Sequence, residues 1–573
     1  MNTFTRLISY VSVICVLFIL PAQSSAQVGS AKQYPNGVVV TAEQRASKVG
    51  TQILKQGGNA VDAAVAVQFA LAVTLPRAGN IGGGGFMVLH LQDGTTTTLD
   101  FREKAPLKAS EDMYLRDGEY VPHLSREGVL AVGVPGVVDG MIKAIERYGR
   151  LPLETVIAPA IKLAREGYSL SWAQAQVLNE YIKTLKKYEG SKKYFVKGDG
   201  QKWQEGDLFV QKDLAKTLQR ISNRGRDGFY SGKTADMIIE EMQKQEGLIT
   251  YKDLEEYESK WREPVDASFA GYDLHIMPPP SSGSVAIHQI LEMLQPYDLK
   301  QLGFNSAKYV HLVTEAMRRA FADRAYFLGD PDFVDIPKQK LMSDSYNKKR
   351  MQSFSWEKAT SSDEIDHGKI PAFKESLETT HYSIVDKDGN AVAVTTTLNG
   401  NFGSKVAVNG AGFFLNNEMD DFTAEPGEPN MFGLIQGKAN AVKPEKRMLS
   451  SMSPTIVTKD GNVRMVLGAA GGPMIITATL HNFLNMAVFG MDPAEAISAP
   501  RFHHQWMPDK LFYETYGLSP DTREKLKAMG HNLTPVESLG ISGIGRAHTI
   551  YVDGDGLKYG APDPRGDGAA EGY

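Results

Sequence analysis

The sequence predicts an α+β chain in which helices pack on antiparallel sheets, and three observations carry that expectation. Helical periodicity fits residues 42–56, 60–73, 137–148, 152–166, 305–327 and 475–489. Four strand–turn–strand units are built around Asp-Gly pairs, three of them in the last 195 residues. The composition is that of a globular protein, with 573 residues, 42% hydrophobic, 23% charged and 9% aromatic. This excludes a disordered, collagen-like or coiled-coil chain, and the length allows several domains and a large core. A net charge of −5 supplies no global basic field for nucleic acid or anionic lipid.

Residues 1–26 carry one charge, Arg6, then an apolar run from Leu7 to Leu20, a break at Pro21 and the small residues Ser24-Ser25-Ala26. This pattern reads as a secretory signal peptide cut between Ala26 and Gln27. A run of fourteen residues is short for a membrane anchor, which needs about 20. The only cysteine, Cys15, leaves with it, so the mature chain can form no disulfide and no cysteine-based zinc site. The expected destination is outside the cytoplasm, a secreted or periplasmic protein.

Ala60–Val73 reads as a buried helix capped by Asn59, with Asp62 in its first turn. The hairpins are 87–91 with 96–100, 383–385 with 391–397, 455–458 with 463–467, and 549–552 with 557–560. Between the helical and hairpin-rich parts, Ser355–Glu378 is polar and charged without periodicity, and reads as an exposed, mobile segment prone to nicking. It ends where a strand begins, at Thr379-Thr380-His381-Tyr382-Ser383.

Several weak motifs do not hold. Gly228–Thr234 is one residue short of a P-loop, and Gly543-Ile544-Gly545 lacks a third glycine. His503-His504 has no third ligand at suitable spacing, and Asp386–Asn390 is a hairpin turn rather than a calcium loop. Ser281-Ser282-Gly283 is no nucleophile elbow, and the lysines between 183 and 202 make a solvated face. Thr379, taken alone, is simply a good strand residue.

Its surroundings change that reading. The stretches TTHYSIVDKDGNAVAVTTTLN (379–399), FLNNEMDDF (414–422), KRMLSSMSPTIV (446–457) and GAAGGP (468–473) closely resemble the γ-glutamyltransferase family. GGNAVDAAVA (57–66), GGGGFM (82–87), DFREKAP (100–106), APRFHHQW (499–506) and DPRGDGAAEGY (563–573) extend the resemblance along the whole mature chain.

The resemblance implies an N-terminal-nucleophile hydrolase fold, a four-layer αββα sandwich of two antiparallel sheets between helices. It implies self-cleavage between Glu378 and Thr379, giving a large subunit 27–378 and a small subunit 379–573 that stay together as a heterodimer. Thr379 would attack the γ-carbonyl of glutathione or another γ-glutamyl compound, its freed α-amine serving as base. The γ-glutamyl group would pass to water or to an amino acid or peptide acceptor. Arg102, Ser450 and Ser451 would bind the α-carboxylate, and Asp421, Glu418 and Asn399 the α-ammonium. Thr397 would hydrogen-bond the nucleophile, and Gly471 and Gly472 would supply oxyanion N–H groups. No metal or organic cofactor enters this scheme. Gly82–Gly85 read as close packing beneath the site.

The sequence departs from the family pattern at Pro473, which should hold Gly472 extended. It departs again at Phe432, where a tyrosine hydroxyl toward Asn399 would be lost from a lid loop, and at Met448, which replaces a common proline. The alternatives are a cephalosporin or glutaryl acylase of the same fold, disfavoured by the charge of Asp421, and a processed but non-catalytic periplasmic binding protein.

Overall fold

The computed structural model describes residues 31–198, 201–365, 379–423, 430–434, 436–539 and 543–573. Strands with a period of two place alternate residues on opposite faces, and here both faces are buried. In the strand Val38–Thr41, Val38 and Val40 join a core between two sheets, while Val39 turns toward helices. The same division separates Phe86 and Val88 from Met87 and Leu89. Four layers result. Helices Gln44–Lys55, Ala60–Thr74, Val137–Tyr148 and Leu153–Glu166 cover one sheet. Helices Gly283–Leu294, Ala307–Phe327 and Met474–Ala487 cover the other.

The first sheet has seven antiparallel strands in the order Ala569–Gly572, Val38–Thr41, Thr380–Val385, Ala391–Thr397, Gly84–His90, Thr96–Asp100 and Lys260–Arg262. The second has eight. Its main path runs Lys32–Tyr34, Lys558–Pro562, Arg546–Val552, Asn462–Leu467, Thr455–Lys459, Tyr272–Ile276 and Val265–Phe269, with Ala469–Ala470 beside Arg546–Val552. All four expected hairpins form. In both sheets, strands from before and after Thr379 are neighbours in the hydrogen-bonded ladders.

The helix Ala60–Thr74 is buried along its full length and opens with a capping box between Asn59 and Asp62. The Asp62 carboxylate also accepts from the backbone N–H of Arg150 and Leu151, which explains an acid in an otherwise apolar helix. Helices at Trp172–Leu185, Lys212–Arg224 and Gly232–Lys244 were not evident from the sequence.

The segment before Thr379 is only in part the exposed stretch expected: Ser355, Glu357, Lys358, Asp363 and Glu364 are exposed, but the segment is also anchored. Ala359, Thr360, Ser362 and Ile365 are buried. Thr360 donates its N–H to Glu315 at 3.1 Å, Ser362 N donates to Asp509 at 2.9 Å, and Ala359 N donates to Met529 O at 2.7 Å. Polar residues can be buried when each finds a partner, and composition alone does not show that. Residues 366–378 and the signal segment 1–26 lie outside the described residues. No helix among the described residues is long and apolar enough to cross a membrane.

Candidate active site

Thr379 stands immediately before the strand Thr380–Val385, whose partner strand pairs Thr380 with Thr396. Continuing that register by one residue sets Thr379 across from Thr397, and both line one cavity. Their side chains fall on the face between the two sheets, the face that also carries His381 and Thr395, bonded to each other at 2.9 Å. Thr397 Oγ1 accepts the N–H of Asn399 at 2.7 Å. Asn399 adopts φ +75°, a conformation asparagine tolerates better than most residues, and its side chain donates to Asn417 O at 3.0 Å.

The glycines 82–85 lie beneath, where any side chain would collide. A Cβ on Gly83 would stand 2.1 Å from Thr397 O, and one on Gly85 2.4 Å from Thr395 O. The close-packing reading of these glycines stands.

Arg102 follows the strand Thr96–Asp100 and is fully buried. Its Nη1 donates to Glu418 and its Nη2 to Asp421, both on the short 3₁₀ turn Glu418–Asp421. Its Nε reaches Met448 O at 3.3 Å. Residues assigned to opposite ends of the substrate's α-carbon therefore pair here with each other. A third acid, Glu103, lies 3.7 Å from Arg102, and neither of its oxygens has a hydrogen-bond partner among the described residues. Three carboxyls share one guanidinium. Burial raises the Asp421 carboxyl to about 6 and Glu103 to about 7, with Arg102 opposing. Burial pushes Glu418 well above the carboxylate range. Burial also works against the charge on Arg102, but its acidic neighbours outweigh that and hold it above the usual arginine value.

Ser450 and Ser451 form the opposite wall. Ser450 Oγ accepts from Met452 N at 3.2 Å, and Ser451 Oγ accepts from Arg324 Nη2 at 3.2 Å. Neither hydroxyl donates to a described group, so each keeps a proton for an acceptor in the cavity. Arg324, on the helix Ala307–Phe327, lines the same cavity and was missed by sequence reasoning. The available signal was the charged set Arg318, Arg319, Asp323 and Arg324 in the second half of a helix that also carries Lys308, His311 and Glu315. The helix buries all four, so helical position alone does not tell which one faces the cavity.

Gly472 lines the cavity, and Gly471 precedes it. Their carbonyls accept from Met474 and Ile475 at 3.1 Å, which starts the helix Met474–Ala487. Their own N–H groups meet no acceptor among the described residues. The expectation that Pro473 holds Gly472 extended is corrected: Gly472 has φ +53°, in the left-handed region. The restriction before proline arises partly from the preceding Cβ, which glycine lacks. Pro473 itself takes helical angles just ahead of the first turn.

Phe432 packs on this pair, and a Cβ on Gly472 would come within 2.9 Å of its ring. Its loop is tied to the acidic turn, Asn430 donating to Asp421 at 3.2 Å and Met431 N to Asp420 at 2.8 Å. The cavity enclosed by these groups is about 20 Å³, room for about one water.

The structure thus brings together Arg102, Thr379, Thr397, Asn399, Glu418, Asp421, Ser450, Ser451 and Gly472. Gly471 adjoins them without lining the cavity, and Glu378 lies outside the described residues. The dismissed motifs have structural partners. His503 bonds Thr477 and Gln505, His504 bonds Asp509, and Thr234 donates to Gly228 O. His311, Glu315 and His531 bring three metal-capable atoms within 4.8 Å. Glu315 is already held by Arg319 and Thr360, and His311 bridges His531 and Ser355 O, each at 2.7 Å. With its acid paired to arginine, the trio serves as a clamp on residues 355–360.

The family model for gamma-glutamyltranspeptidase matches residues 46–573. The glutathione hydrolase proenzyme of Pseudomonas sp. (strain A14) is 48% identical over 587 aligned residues, covering 100% of both chains. The glutathione hydrolase proenzyme of Escherichia coli (strain K12) is 49% identical, covering 92% of this chain and 90% of its own. Among solved structures, the cephalosporin acylase from Bacillus halodurans superposes with a TM-score of 0.85 at 26% identity, covering 97% of this chain and 99% of that one.

Proposed function

The chain belongs to the gamma-glutamyltranspeptidase family, has the N-terminal-nucleophile hydrolase fold and is a glutathione hydrolase and γ-glutamyltransferase; from that premise we propose that Thr379 is its nucleophile, freed by self-cleavage after Glu378. The observation that carries the reading is the shared cavity. A threonine at the start of a strand stands beside a guanidinium–carboxylate pair and two hydroxyls with unused protons. These groups match the zwitterionic α-carbon of a γ-glutamyl donor.

Before the cut, the nitrogen of Thr379 is an amide and cannot take a proton. After it, the nitrogen is an amine with an ordinary pKa of about 7.7–8.0, close to working pH. The amine accepts the hydroxyl proton as Oγ1 attacks the γ-carbonyl carbon. The N–H groups of Gly471 and Gly472 face the developing oxyanion, each contributing about 3 kcal/mol when well aimed. The tetrahedral species collapses, the C–N bond breaks, and the leaving amine departs with the proton. Water then attacks the γ-glutamyl ester to release glutamate, or an acceptor amine forms a new γ-glutamyl amide.

In this reading Arg102, Ser450 and Ser451 hold the α-carboxylate, and Asp421, Glu418 and Asn399 the α-ammonium. Admitting the donor requires the Arg102 pairs to part and each to take a substrate charge instead. Thr397 orients the nucleophile from the facing strand. The interleaved strands support a large subunit 27–378 and a small subunit 379–573 that remain one heterodimer. The signal-like residues 1–26 support a destination outside the cytoplasm, in a secreted or periplasmic setting.

Glutaryl acylase activity is the second reading, favoured by the likeness to acylases. A glutaryl group brings a carboxylate and no ammonium, so Asp421 and Glu418 would repel rather than bind it. Comparing turnover of a γ-glutamyl anilide with its glutaryl analogue decides: faster reaction of the glutaryl compound overturns the assignment. A denaturing gel with mass measurement should show fragments of 352 and 195 residues once the signal is removed.

A further inference from the structure

Arg102 and Arg324 both reach the Thr379 cavity, but their charges are met differently. Arg102 is paired with Glu418 and Asp421. Arg324 is 2% exposed and forms no ion pair among the described residues; its Nε donates to Ser282 Oγ at 2.9 Å and its Nη2 to Ser451 Oγ at 3.2 Å. The neighbouring Asp323 is engaged elsewhere, with Gln289 and Arg350. Burial draws the Arg324 guanidinium down to about 10, partly offset by the charge of Asp421, so it stays positive at neutral pH.

The two serines respond to that cation in different ways. Ser282 Oγ donates a hydrogen bond to Ser450 O at 2.7 Å, and Ser282 N donates to the same oxygen at 2.7 Å, which fixes the 450–451 loop. Ser451 Oγ accepts from Arg324 and donates to nothing described. A hydroxyl whose lone pair is taken by a cation turns its proton away from it. Ser451 lines the cavity, so a proton turned from Arg324 is available to an acceptor bound there.

We propose that Arg324 is a specificity-determining positioning residue, which makes Ser451 a hydrogen-bond donor toward the cavity and supplies the unmatched positive charge that selects donors bearing an α-carboxylate. The electrostatic need is plain. Without Arg324, the cavity lining would hold two acids, Glu418 and Asp421, and the single guanidinium of Arg102 that they already share. The inference rests on the reading that the donor's α-carboxylate lies against Ser450 and Ser451.

The test compares a γ-glutamyl anilide with the 4-aminobutanoyl anilide, which lacks only the α-carboxylate. Arg324→Gln should raise KM for the γ-glutamyl donor about 10- to 100-fold with kcat within about threefold. On the 4-aminobutanoyl donor, kcat/KM should change less than about threefold, so the preference between donors collapses. Combining Arg324→Gln with Ser451→Ala should cost no more than about threefold beyond the worse single variant, because the two act as one unit. Equal losses on both donors, or additive losses in the double variant, overturn the proposal. The self-cut into two fragments reports that a variant has folded. Should Arg324→Gln remain uncut, Arg324→Lys, which keeps the charge but not the fork, carries the decision: it should lower the donor preference, and an unchanged preference overturns the proposal. A wild-type enzyme that does not prefer the γ-glutamyl donor would instead refute the placement of the α-carboxylate.

Discussion

The stretches of chain on either side of Thr379 contribute opposite signs of charge to one site. The earlier stretch supplies the cations, Arg102 and Arg324; the later supplies Glu418 and Asp421, the two serines and Thr379. They also bury their titratable groups differently. Burial depresses all six histidines of the later stretch, to about 4 for His481, His504 and His548, about 3 for His503 and His531, and well below the usual range for His381. In the earlier stretch His90 and His311 are buried as well, but His275 and His288 are only partly covered and His123 is exposed. A cut between the stretches would divide the covalent chain but not the ladders, because Thr380–Val385 pairs with Val38–Thr41, and Ala391–Thr397 with Gly84–His90. Neither stretch alone contains a complete site, so activity belongs to their contact.

The sharpest way to break this comparison is to remove the residue at which the stretches meet. Thr379→Ala should remain a single chain on a denaturing gel and lose at least about 10⁴-fold in γ-glutamyl anilide turnover. Wild-type protein that stays uncut and still releases glutamate would refute the mechanism.

Next in size is loss of the central cation. Arg102→Ala should raise KM for the γ-glutamyl donor by about 100-fold or more. It should also destabilise the fold by about 3–5 kcal/mol, since it strands buried acids without a partner. Kinetics and a urea titration measure the two effects separately. Unchanged KM would remove Arg102 from the substrate site.

The buried histidines make the later stretch the acid-sensitive one. In the unfolded chain an imidazole titrates near 6.5; folded, these six titrate far lower. Protons therefore bind the unfolded state first, and stability falls as pH drops below about 6.5, by up to about 1.4 kcal/mol per pH unit for each histidine. Glu103, Glu418 and Asp421 act with the opposite sign. Their folded values are raised, so the cost of ionising them is relieved as pH falls toward about 4. Six groups against three leave a net loss of up to about 4 kcal/mol per pH unit. Urea midpoints at pH 7 and pH 5 should differ accordingly, and equal midpoints would contradict the burial assigned to these histidines.

A smaller effect concerns substrate capture. Holding an α-ammonium requires Asp421 ionised, and its carboxyl lies at about 6 in the unliganded site. Protonation of the Thr379 amine already lowers kcat/KM for the γ-glutamyl donor below about pH 8. Below about 6 the wild type should steepen further as Asp421 protonates, while Asp421→Asn should show lower values without that second, steeper limb. An unchanged limb in Asp421→Asn would assign it to another group.

What could be read in advance divides along local and long-range lines. The Asp-Gly hairpins and the Asn59 cap involve residues close in sequence, and they form as expected. Thr379 became legible through the text around it, since a hydroxyl at a strand's start has no signature of its own. Arg324 was not legible, because it reaches Ser451 across 127 positions. The packing of 355–365 was hidden for the same reason, its partners Glu315, Asp509 and Met529 being far away in the chain. The conformation of Gly472 ran against a local rule written for residues that carry a Cβ.

The mildest probe of the contact between the stretches is Phe432→Tyr. Phe432 shares the cavity with Asn399 and rests on Gly472, so it covers the place where an oxyanion would form. Its loop is tethered through Asn430 to Asp421, so with Asp421 in its proposed role at the α-ammonium, lid position and substrate charge would be coupled. A tyrosine hydroxyl toward Asn399 would add one hydrogen bond to that closure, about 0.5–1.5 kcal/mol, or about a two- to tenfold drop in KM. Because a more closed cavity admits bulky acceptors less readily than water, the ratio of transfer to hydrolysis should fall with it. A KM unchanged within twofold, with an unaltered product ratio, would show that Phe432 covers the site by packing alone and that the hydroxyl has no role here.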